Sequence, residues 1–164
     1  MIVKDSMVLI HLAKITLLEK SCKYFKKTIV PKRVFDEVTK CREKNFVDIK
    51  IIVDLVERNE IEVIEIKNQK SLEKINELNI QGGEAEAVAL YWQENADYVA
   101  TDDDNVRKKN LLLNIKLIGT PVIILKLYEE KMIDKNKFVE SINKLKKIGW
   151  FSNGVLDKIL MEAK

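Results

Sequence analysis

The stretch VATDDDNVR, residues 99–107, joins a short apolar segment to three consecutive carboxylates. The residues before Thr101 predict a buried strand, and the polar run after it predicts a turn into a helix. One Asp can cap that helix and a second can favour its dipole, but a third has no structural role of this kind. Because Asp102, Asp103 and Asp104 repel one another, the run predicts a positive group among them.

Short apolar runs alternate with longer helical patterns along the chain, which is typical of an α/β fold. Predicted strands lie at residues 1–4, 28–30, 61–66, 97–101 and 115–119. Predicted helices lie at 6–13, 15–25, 31–43, 46–58, 70–77, 83–95, 103–110, 120–131, 134–147 and 152–163. Most strands are apolar on both faces, whereas the third alternates and is expected nearer an edge. We therefore predict a three-layer α/β/α fold around a mostly parallel central sheet of about five strands.

Length and composition favour one domain. The chain has 164 residues and 46% hydrophobic content, enough for one well-buried core. We expect a core at residues 1–131 and a C-terminal helical pair at 132–164 within the same domain. The net charge of +3 does not by itself decide for or against a nucleic-acid partner.

The apolar segments predict neither a membrane span nor a secretory leader. Lys14 and Lys126 interrupt the longest of them, and Asp5 rather than a basic residue precedes the first. We expect a cytoplasmic protein without membrane contact. Cys22 and Cys41 lie nineteen positions apart with no His at zinc-site spacing, so buried thiols are expected.

Acidic residues at strand ends and helix starts are the candidate functional groups. Asp5 ends the first predicted strand, and Ser6 could cap the helix that follows. Glu37 borders the apolar stripe of its helix, where it is either a salt-bridged edge residue or a functional carboxylate. Glu84 opens a helix after Gly82 and Gly83 and faces its apolar stripe, a direction that the helix dipole alone does not explain.

These segments share one end of a doubly wound sheet, because parallel strands end at the same edge. The expected cluster contains Asp5, Glu37 and Glu84 together with Asp102 or Asp103, the pair that follows the fourth predicted strand. It offers only oxygen donors, which suit Mg²⁺ or Mn²⁺. We therefore predict that the positive group among the three Asp residues is a divalent cation.

Five segments in this order resemble PIN domains, particularly a PIN-like branch with a GEAEA helix. They are KDSMVLIHLAKITLLEK (4–20), IVPKRVFDEV (29–38), GGEAEAVAL (82–90), TDDDNVR (101–107) and IGTPVIILKL (118–127). The resemblance spans residues 2 to about 131. It implies a parallel α/β/α fold, a metal-dependent ribonuclease site at Asp5, Glu37, Glu84 and Asp103, and kinship with the toxin halves of VapBC-like toxin–antitoxin pairs. The DDD run does not rank Asp102 against Asp103.

The function expected from this reading is hydrolysis of RNA phosphodiester bonds by metal-bound water. Asp5 and Asp103 would be direct ligands, and Glu37 and Glu84 would complete the shell directly or through water. Asp102, Ser6 and Thr101 would orient that shell from outside.

Basic residues near the acids would attract RNA. They are Lys32, Arg33, Arg107, Lys108 and Lys109, each of which could also be an ordinary surface charge. His11, the single histidine, is expected to be a packing or surface residue.

Other roles stay open. The C-terminal pair could cover the domain, support a homodimer, which is the assembly we expect, or dock an antitoxin protein. The main alternative function is a catalytically inactive PIN-like module that binds nucleic acid or protein. A phosphoacceptor receiver domain is disfavoured, because the third predicted strand ends without an Asp and the fifth without a Lys.

Overall fold

A computed structural model describes residues 1–40, 46–149 and 151–163. Within these ranges the sheet is entirely parallel. Its strands are β1 (Ile2–Lys4), β2 (Thr28–Pro31), β3 (Ile61–Ile64), β4 (Tyr98–Ala100) and β5 (Leu117–Ile118), in the spatial order β3-β2-β1-β4-β5. β3 lies at an edge, as its alternating pattern predicts. The prediction of a three-layer α/β/α fold is confirmed.

Eleven helices in the described ranges surround the sheet. They are α1 (Ser6–Lys14), α2 (Leu18–Phe25), α3 (Lys32–Lys40), α4 (Phe46–Glu57), α5 (Gln69–Glu77), α6 (Gly82–Glu94), α7 (Asp104–Lys108), α8 (Asn110–Leu113), α9 (Thr120–Glu129), α10 (Lys135–Ile148) and α11 (Asn153–Glu162). No helix in this part of the chain has both the length and the apolarity needed to span a membrane.

Two apolar cores cover the two faces of the sheet, because successive residues of a strand point to opposite sides. Ile2 joins the core beneath α1, α4 and α9, whereas Val3 joins the core beneath α5 and α6. The C-terminal helices belong to the first core, through the buried side chains of Phe138, Ile142, Leu145, Leu156 and Ile159. Helices α10 and α11 therefore pack against the layer that also contains α1 and α9.

Several predicted boundaries are wrong for local reasons. The second helix begins at Leu18 rather than at residue 15, because Thr16 has a positive φ of 61°, which is not a right-handed helical conformation. Pro31 ends β2, paired in register with Ile64, instead of starting a helix. The helix predicted at 103–110 is two short helices that meet at Lys109, whose φ of −106° and ψ of 5° are not helical. The predicted helix residues 41–43, including Cys41, lie outside the described residues.

The order of the strands selects one edge of the sheet for function. β1 pairs with β2 on one side and with β4 on the other. The chain therefore adds β2 and β3 on one side of β1, and β4 and β5 on the other side. In such sheets ligands bind beyond the carboxyl ends of the strands at this switch point. The residues after β1 and β4 are the ones at that position.

Candidate functional site

Asp5 and the residues after β4 lie side by side at the carboxyl edge of the sheet. The parallel register pairs Lys4 with Ala100, and the backbone N–H of Asp5 donates to the carbonyl oxygen of Ala100 at 3.1 Å. The N–H of Thr101 donates in turn to the carbonyl oxygen of Ile118 at 3.1 Å. The sheet therefore brings Asp5 next to Thr101 and the carboxylates that follow it.

Asp5 is the N-cap of α1. Its Oδ1 accepts a hydrogen bond from the N–H of Val8 at 2.8 Å, which satisfies one of the free donors in the first helical turn. Ser6 is the first residue inside the helix, so its predicted capping role is wrong. The side chain of Asp5 is buried, and its Oδ2 has no hydrogen-bond partner among the described residues. A buried carboxylate oxygen without a partner is costly unless a proton or a cation occupies the position.

Burial raises the pKa of Asp5 to about 7. The Thr101 hydroxyl and the Val8 N–H favour the ionised form, but they only partly offset the loss of water. The negative charges of Asp102 and Glu84 add to the increase. This carboxyl group is therefore held where an added positive charge would stabilise it strongly.

Glu37 and Glu84 meet beside the two glycines that open α6. Glu84 Oε2, Arg33 Nη2 and Glu37 Oε1 lie 3.6, 3.8 and 3.8 Å from the position that a Cβ would occupy on Gly82. Gly82 has a positive φ of 65°, a conformation that glycine adopts without strain. The two carboxylates thus face one small space, and the guanidinium of Arg33 lies in it with them.

Arg33 pairs with Glu37 along α3. Its Nε donates to Glu37 Oε1 at 3.1 Å, and both side chains are partly exposed. This i, i+4 pair is of a kind that contributes only a few tenths of a kcal/mol. A stronger cation in the same space could therefore displace Arg33 from Glu37 at little cost.

Glu84 connects this pair electrostatically to the sheet edge. Partial burial raises the pKa of Glu84, and the charges of Asp103 and Glu37 raise it further. The backbone N–H of Glu84 itself and the Arg33 guanidinium act in the opposite direction. Because Glu84 also raises the pKa of Asp5, it is the acid that couples the other three.

Each Asp of the 102–104 run has a separate structural partner. Asp103 caps α7, with its Oδ1 accepting from the N–H of Val106 at 2.9 Å, as one Asp was predicted to do. Thr101 supports this turn, since its Oγ1 accepts from the N–H of Asp103 at 3.0 Å. Asp104 lies in the first turn of α7, exposed and 3.9 Å from Arg107 Nε. The run therefore does not by itself require a cation.

Asp102 has the structural role that the sequence did not reveal. Its Oδ1 accepts from the N–H of Thr120 at 2.8 Å, and its Oδ2 accepts from the Thr120 hydroxyl at 2.5 Å and from His11 Nδ1 at 2.8 Å. The carboxylate thus supplies a cap to α9 from outside that helix. With only 1% of its side chain exposed and both oxygens accepting hydrogen bonds, Asp102 is fixed in place by this network. Its role as a metal ligand stays a prediction.

His11 is buried, so of the two predicted roles, packing and surface, packing is confirmed. Its hydrogen bond also orients Asp102. Its ring packs against Phe151, with centroids 5.5 Å apart. Phe151, which follows α10, therefore covers the His11 ring of this hydrogen-bond network. His11 and Thr120 are the functional neighbours that sequence reasoning missed, because they lie 91 and 18 positions from Asp102.

The predicted basic residues have different surroundings. Lys32 is paired with Asp36 at 2.5 Å on the exposed side of α3, and Lys108 is exposed on α7. Arg107 Nη2 lies 3.1 Å from the position of a Cβ on Gly119, next to Asp102 Oδ1. Lys109 donates to the carbonyl oxygen of Leu78. Of these five basic residues, Arg33 is the one that lies beside both Glu37 and Glu84.

The donor chemistry fits a hard divalent ion, but the ligands are not assembled into a shell. Within residues 1–40, 46–149 and 151–163, no group of three or more His, Cys, Asp or Glu side chains is arranged to hold a metal ion. The unpartnered Oδ2 of Asp5 is the oxygen best suited to one. Glu84 and Asp103 are the acids whose side chains would complete its surroundings.

The fold and this edge define the class: a parallel α/β/α protein with carboxylates beyond the ends of its central strands. A family model described as a PIN domain matches residues 1–164. The chain belongs to the PIN-domain family, as the five sequence segments predicted. No curated protein and no solved structure matches the chain significantly. The PIN fold is one generally found in nucleases, so a nuclease-type protein is the coarse functional class.

Proposed function

We propose that this protein is a divalent-metal-dependent endoribonuclease that hydrolyses RNA phosphodiester bonds with Mg²⁺ or Mn²⁺. The observation that carries the proposal is the buried carboxyl group of Asp5, whose Oδ2 has no partner and whose pKa is raised to about 7. Such a group at a ligand-binding edge of the sheet is a candidate functional residue. Its acidic neighbours add negative potential, which favours a cation over any other occupant.

Asp5, Glu84 and Asp103 would hold the metal, with Glu37 joining directly or through water. The metal would supply a water of lowered pKa as the nucleophile and would offset charge that develops on the phosphate. Asp5 and Asp103 also cap helices through Oδ1, so one oxygen of each is fixed by the backbone. That fixation holds the remaining oxygens in position before substrate arrives.

Arg33 has two roles in this proposal. Without metal it neutralises part of the charge of Glu37 and Glu84. Once Glu37 is engaged elsewhere, the guanidinium is released beside the site, where it can bind a phosphate group in a bidentate manner. Lys32, Arg107 and Lys108 would add weaker, salt-sensitive attraction to the RNA backbone.

The test combines cleavage with metal binding. Purified protein is incubated with end-labelled RNA, with Mn²⁺ or with EDTA, and Mn²⁺ binding is measured separately by calorimetry. We expect cleavage only with the metal, and a loss of at least about 100-fold in both activity and affinity in Asp5→Asn. Asp104→Asn is the matched control, since Asp104 is an exposed acid of the same run. Cleavage that persists in EDTA, or equally in Asp5→Asn, would contradict the proposal.

A catalytically inactive binding module is the second candidate. It is favoured by the absence, in the described residues, of a preassembled group of metal-binding side chains. RNA binding without cleavage in the presence of Mn²⁺, unchanged in Asp5→Asn, would support it. The finer roles proposed here, as a toxin with an antitoxin partner and as a homodimer, are tested by co-expression with the neighbouring reading frames and by light scattering.

A further inference from the structure

Lys4 and Cys22 form a second group of reactive side chains. They lie on the face of the sheet that the first core covers. Lys4 ends β1 and is fully buried. Its Nζ donates to the hydroxyl of Thr28 at 3.0 Å and lies 3.9 Å from the sulfur of Cys22, within hydrogen-bond reach of that atom. The centroid of the Phe25 ring lies 5.6 Å from Nζ. A lysine is rarely found fully buried unless it is paired, so this one calls for an explanation.

The surroundings of Lys4 contain no acid to pair with it. Among the described residues, no carboxylate lies within ion-pair distance of its amine, and the side-chain hydrogen bonds of Nζ go to the Thr28 hydroxyl and the Cys22 sulfur. Packing and these two contacts therefore hold the amine beside the sulfur. The nearest atom that could react with the amine is the sulfur of Cys22, once it is oxidised.

A route from solvent leads to this sulfur. A cleft of about 260 Å³ between the end of α2 and the strands β2 and β3 is lined by Cys22 and Thr28 together with exposed residues, among them Lys27 and Asn59. Cys22 itself is buried and free of any disulfide. A molecule as small as hydrogen peroxide could therefore reach Cys22.

We propose that Lys4 and Cys22 form an oxidation-sensitive couple, in which a peroxide converts the thiol to a sulfenic acid and the lysine amine then captures it as a sulfur–nitrogen cross-link. In the first step the sulfur takes one peroxide oxygen, the O–O bond breaks, and the other oxygen leaves as water. The sulfur is oxidised and the peroxide is reduced.

The second step requires no further oxidant. The electron pair of Nζ attacks the sulfur, the S–O bond breaks, and the hydroxyl group leaves with one amine proton as water. The distance of 3.9 Å must shorten, which rotation about the flexible side chain of Lys4 allows. Two equivalents of an added thiol reverse the reaction, since they regenerate the amine and the Cys22 thiol and form one external disulfide.

The cross-link has a mass signature. In a Cys41→Ser background, which removes the only other thiol, hydrogen peroxide is added to the folded protein and intact mass is measured. We expect a loss of about 2 Da, from one N–H and one S–H hydrogen, and its recovery with dithiothreitol. Trypsin does not cleave after a modified lysine, so residues 1–14 should appear linked to residues 21–23.

Matched variants separate the cross-link from other oxidation. Lys4→Met keeps an apolar stem of similar length but has no amine, so it should gain oxygen at Cys22 and lose no mass. Cys22→Ser should give neither product. Lys27→Met removes an exposed lysine of the same cleft and should behave like the parent protein.

The linked peptide in the parent protein tests the couple even if a variant does not fold. Cys22 oxidised to sulfenic or sulfinic acid with an unmodified Lys4 would overturn the proposal. So would a Cys22 that stays reduced in the folded protein under conditions that oxidise it in the denatured chain.

Discussion

Asp5 shows how one side chain can serve both the fold and a site. Its Oδ1 is committed to the first turn of α1, while its Oδ2 is buried without a partner. The backbone hydrogen bond fixes the carboxyl group in place, and the missing second partner leaves it electrostatically unsatisfied. That combination is unfavourable for stability and useful for binding a cation, a trade that is common at functional sites.

The raised pKa of Asp5 predicts a specific dependence of stability on pH. In the folded protein the pKa is about 7, compared with an ordinary value of 3.8, so the folded state holds this proton more tightly than the unfolded chain. The contribution of Asp5 to the free energy of unfolding is therefore fully present below about pH 4 and is lost as the pH rises towards 7. We expect Asp5→Asn, which keeps a capping oxygen, to be more stable than the parent by about 2 to 4 kcal/mol at pH 8 in EDTA.

Urea unfolding of both proteins between pH 4 and pH 8 measures this difference, because other groups titrate in both and largely cancel. Mn²⁺ should reduce the difference at pH 8 by stabilising only the parent protein. Parallel stability curves for the two proteins would show that Asp5 keeps an ordinary pKa in the folded state.

Asp102 predicts the opposite response to a similar change. Asp102→Asn places an amide group against the donors from Thr120 and His11, so at least one buried donor loses its acceptor. We expect a loss of about 2 to 4 kcal/mol in the free energy of unfolding. Asp104→Asn, at an exposed position two residues along, should change it by less than about 0.5 kcal/mol. Equal effects of the two changes in urea unfolding would contradict the assigned roles.

The sequence indicated the positions of these acids in the fold better than it indicated their partners. Asp5, Glu84 and Asp103 follow strands or open helices, and those positions are visible in a pattern of strands, glycines and apolar stripes. The role of Asp102 depends on Thr120 and His11, which reach it only after β5 and α1 have packed. No local propensity carries that information. The Arg33–Glu37 pair, in contrast, has i, i+4 spacing and could have been predicted from α3 alone.

At the scale of elements, the approach of α3 to α6 brings Glu37 to Glu84. A Cβ on Gly83 would lie 2.6 Å from Glu37 Oε2 and 3.0 Å from Val34 Cγ2, so the helices are close here because this residue has no side chain. In the sequence the two glycines only mark the start of this helix. At Gly83 the missing side chain matters for packing as well, because it makes room for the carboxylate of Glu37.

A pair of glycine substitutions tests this packing. Gly83→Ala gains helix propensity but must displace Glu37 and crowd Val34, whereas Gly154→Ala gains the same propensity in α11 with no atom within 4 Å of the new Cβ. We expect Gly154→Ala to raise the free energy of unfolding by about 0.5 to 1 kcal/mol, and Gly83→Ala to fall short of it by about 1 to 2 kcal/mol. Gly83→Ala should also weaken Mn²⁺ binding. Equal gains at the two positions would mean that α3 and α6 are not in close contact.

At the scale of the whole molecule, the C-terminal helices α10 and α11 pack in the same core as the helices beside the site. Phe138, Ile142, Leu145, Leu156 and Ile159 are buried with residues of α1 and α9. The same pair of helices α1 and α9 contains His11 and Thr120, which hold Asp102. Helices α10 and α11 therefore support the helices that position the carboxyl edge, although neither contributes an acid to it.

This arrangement predicts that the core at 1–131 does not fold alone. Removing residues 132–164 would expose the apolar surfaces of α1 and α9, at a cost of about 1.5 to 3 kcal/mol for each large side chain left in water. Since a whole domain is stable by only about 5 to 15 kcal/mol, we expect the shortened chain to lack a cooperative thermal transition and dispersed amide resonances. The full chain should unfold in a single calorimetric transition. A truncated protein that melts cooperatively and still binds Mn²⁺ would show that α10 and α11 form a separate appendage, and that the carboxyl edge is positioned by the first 131 residues alone.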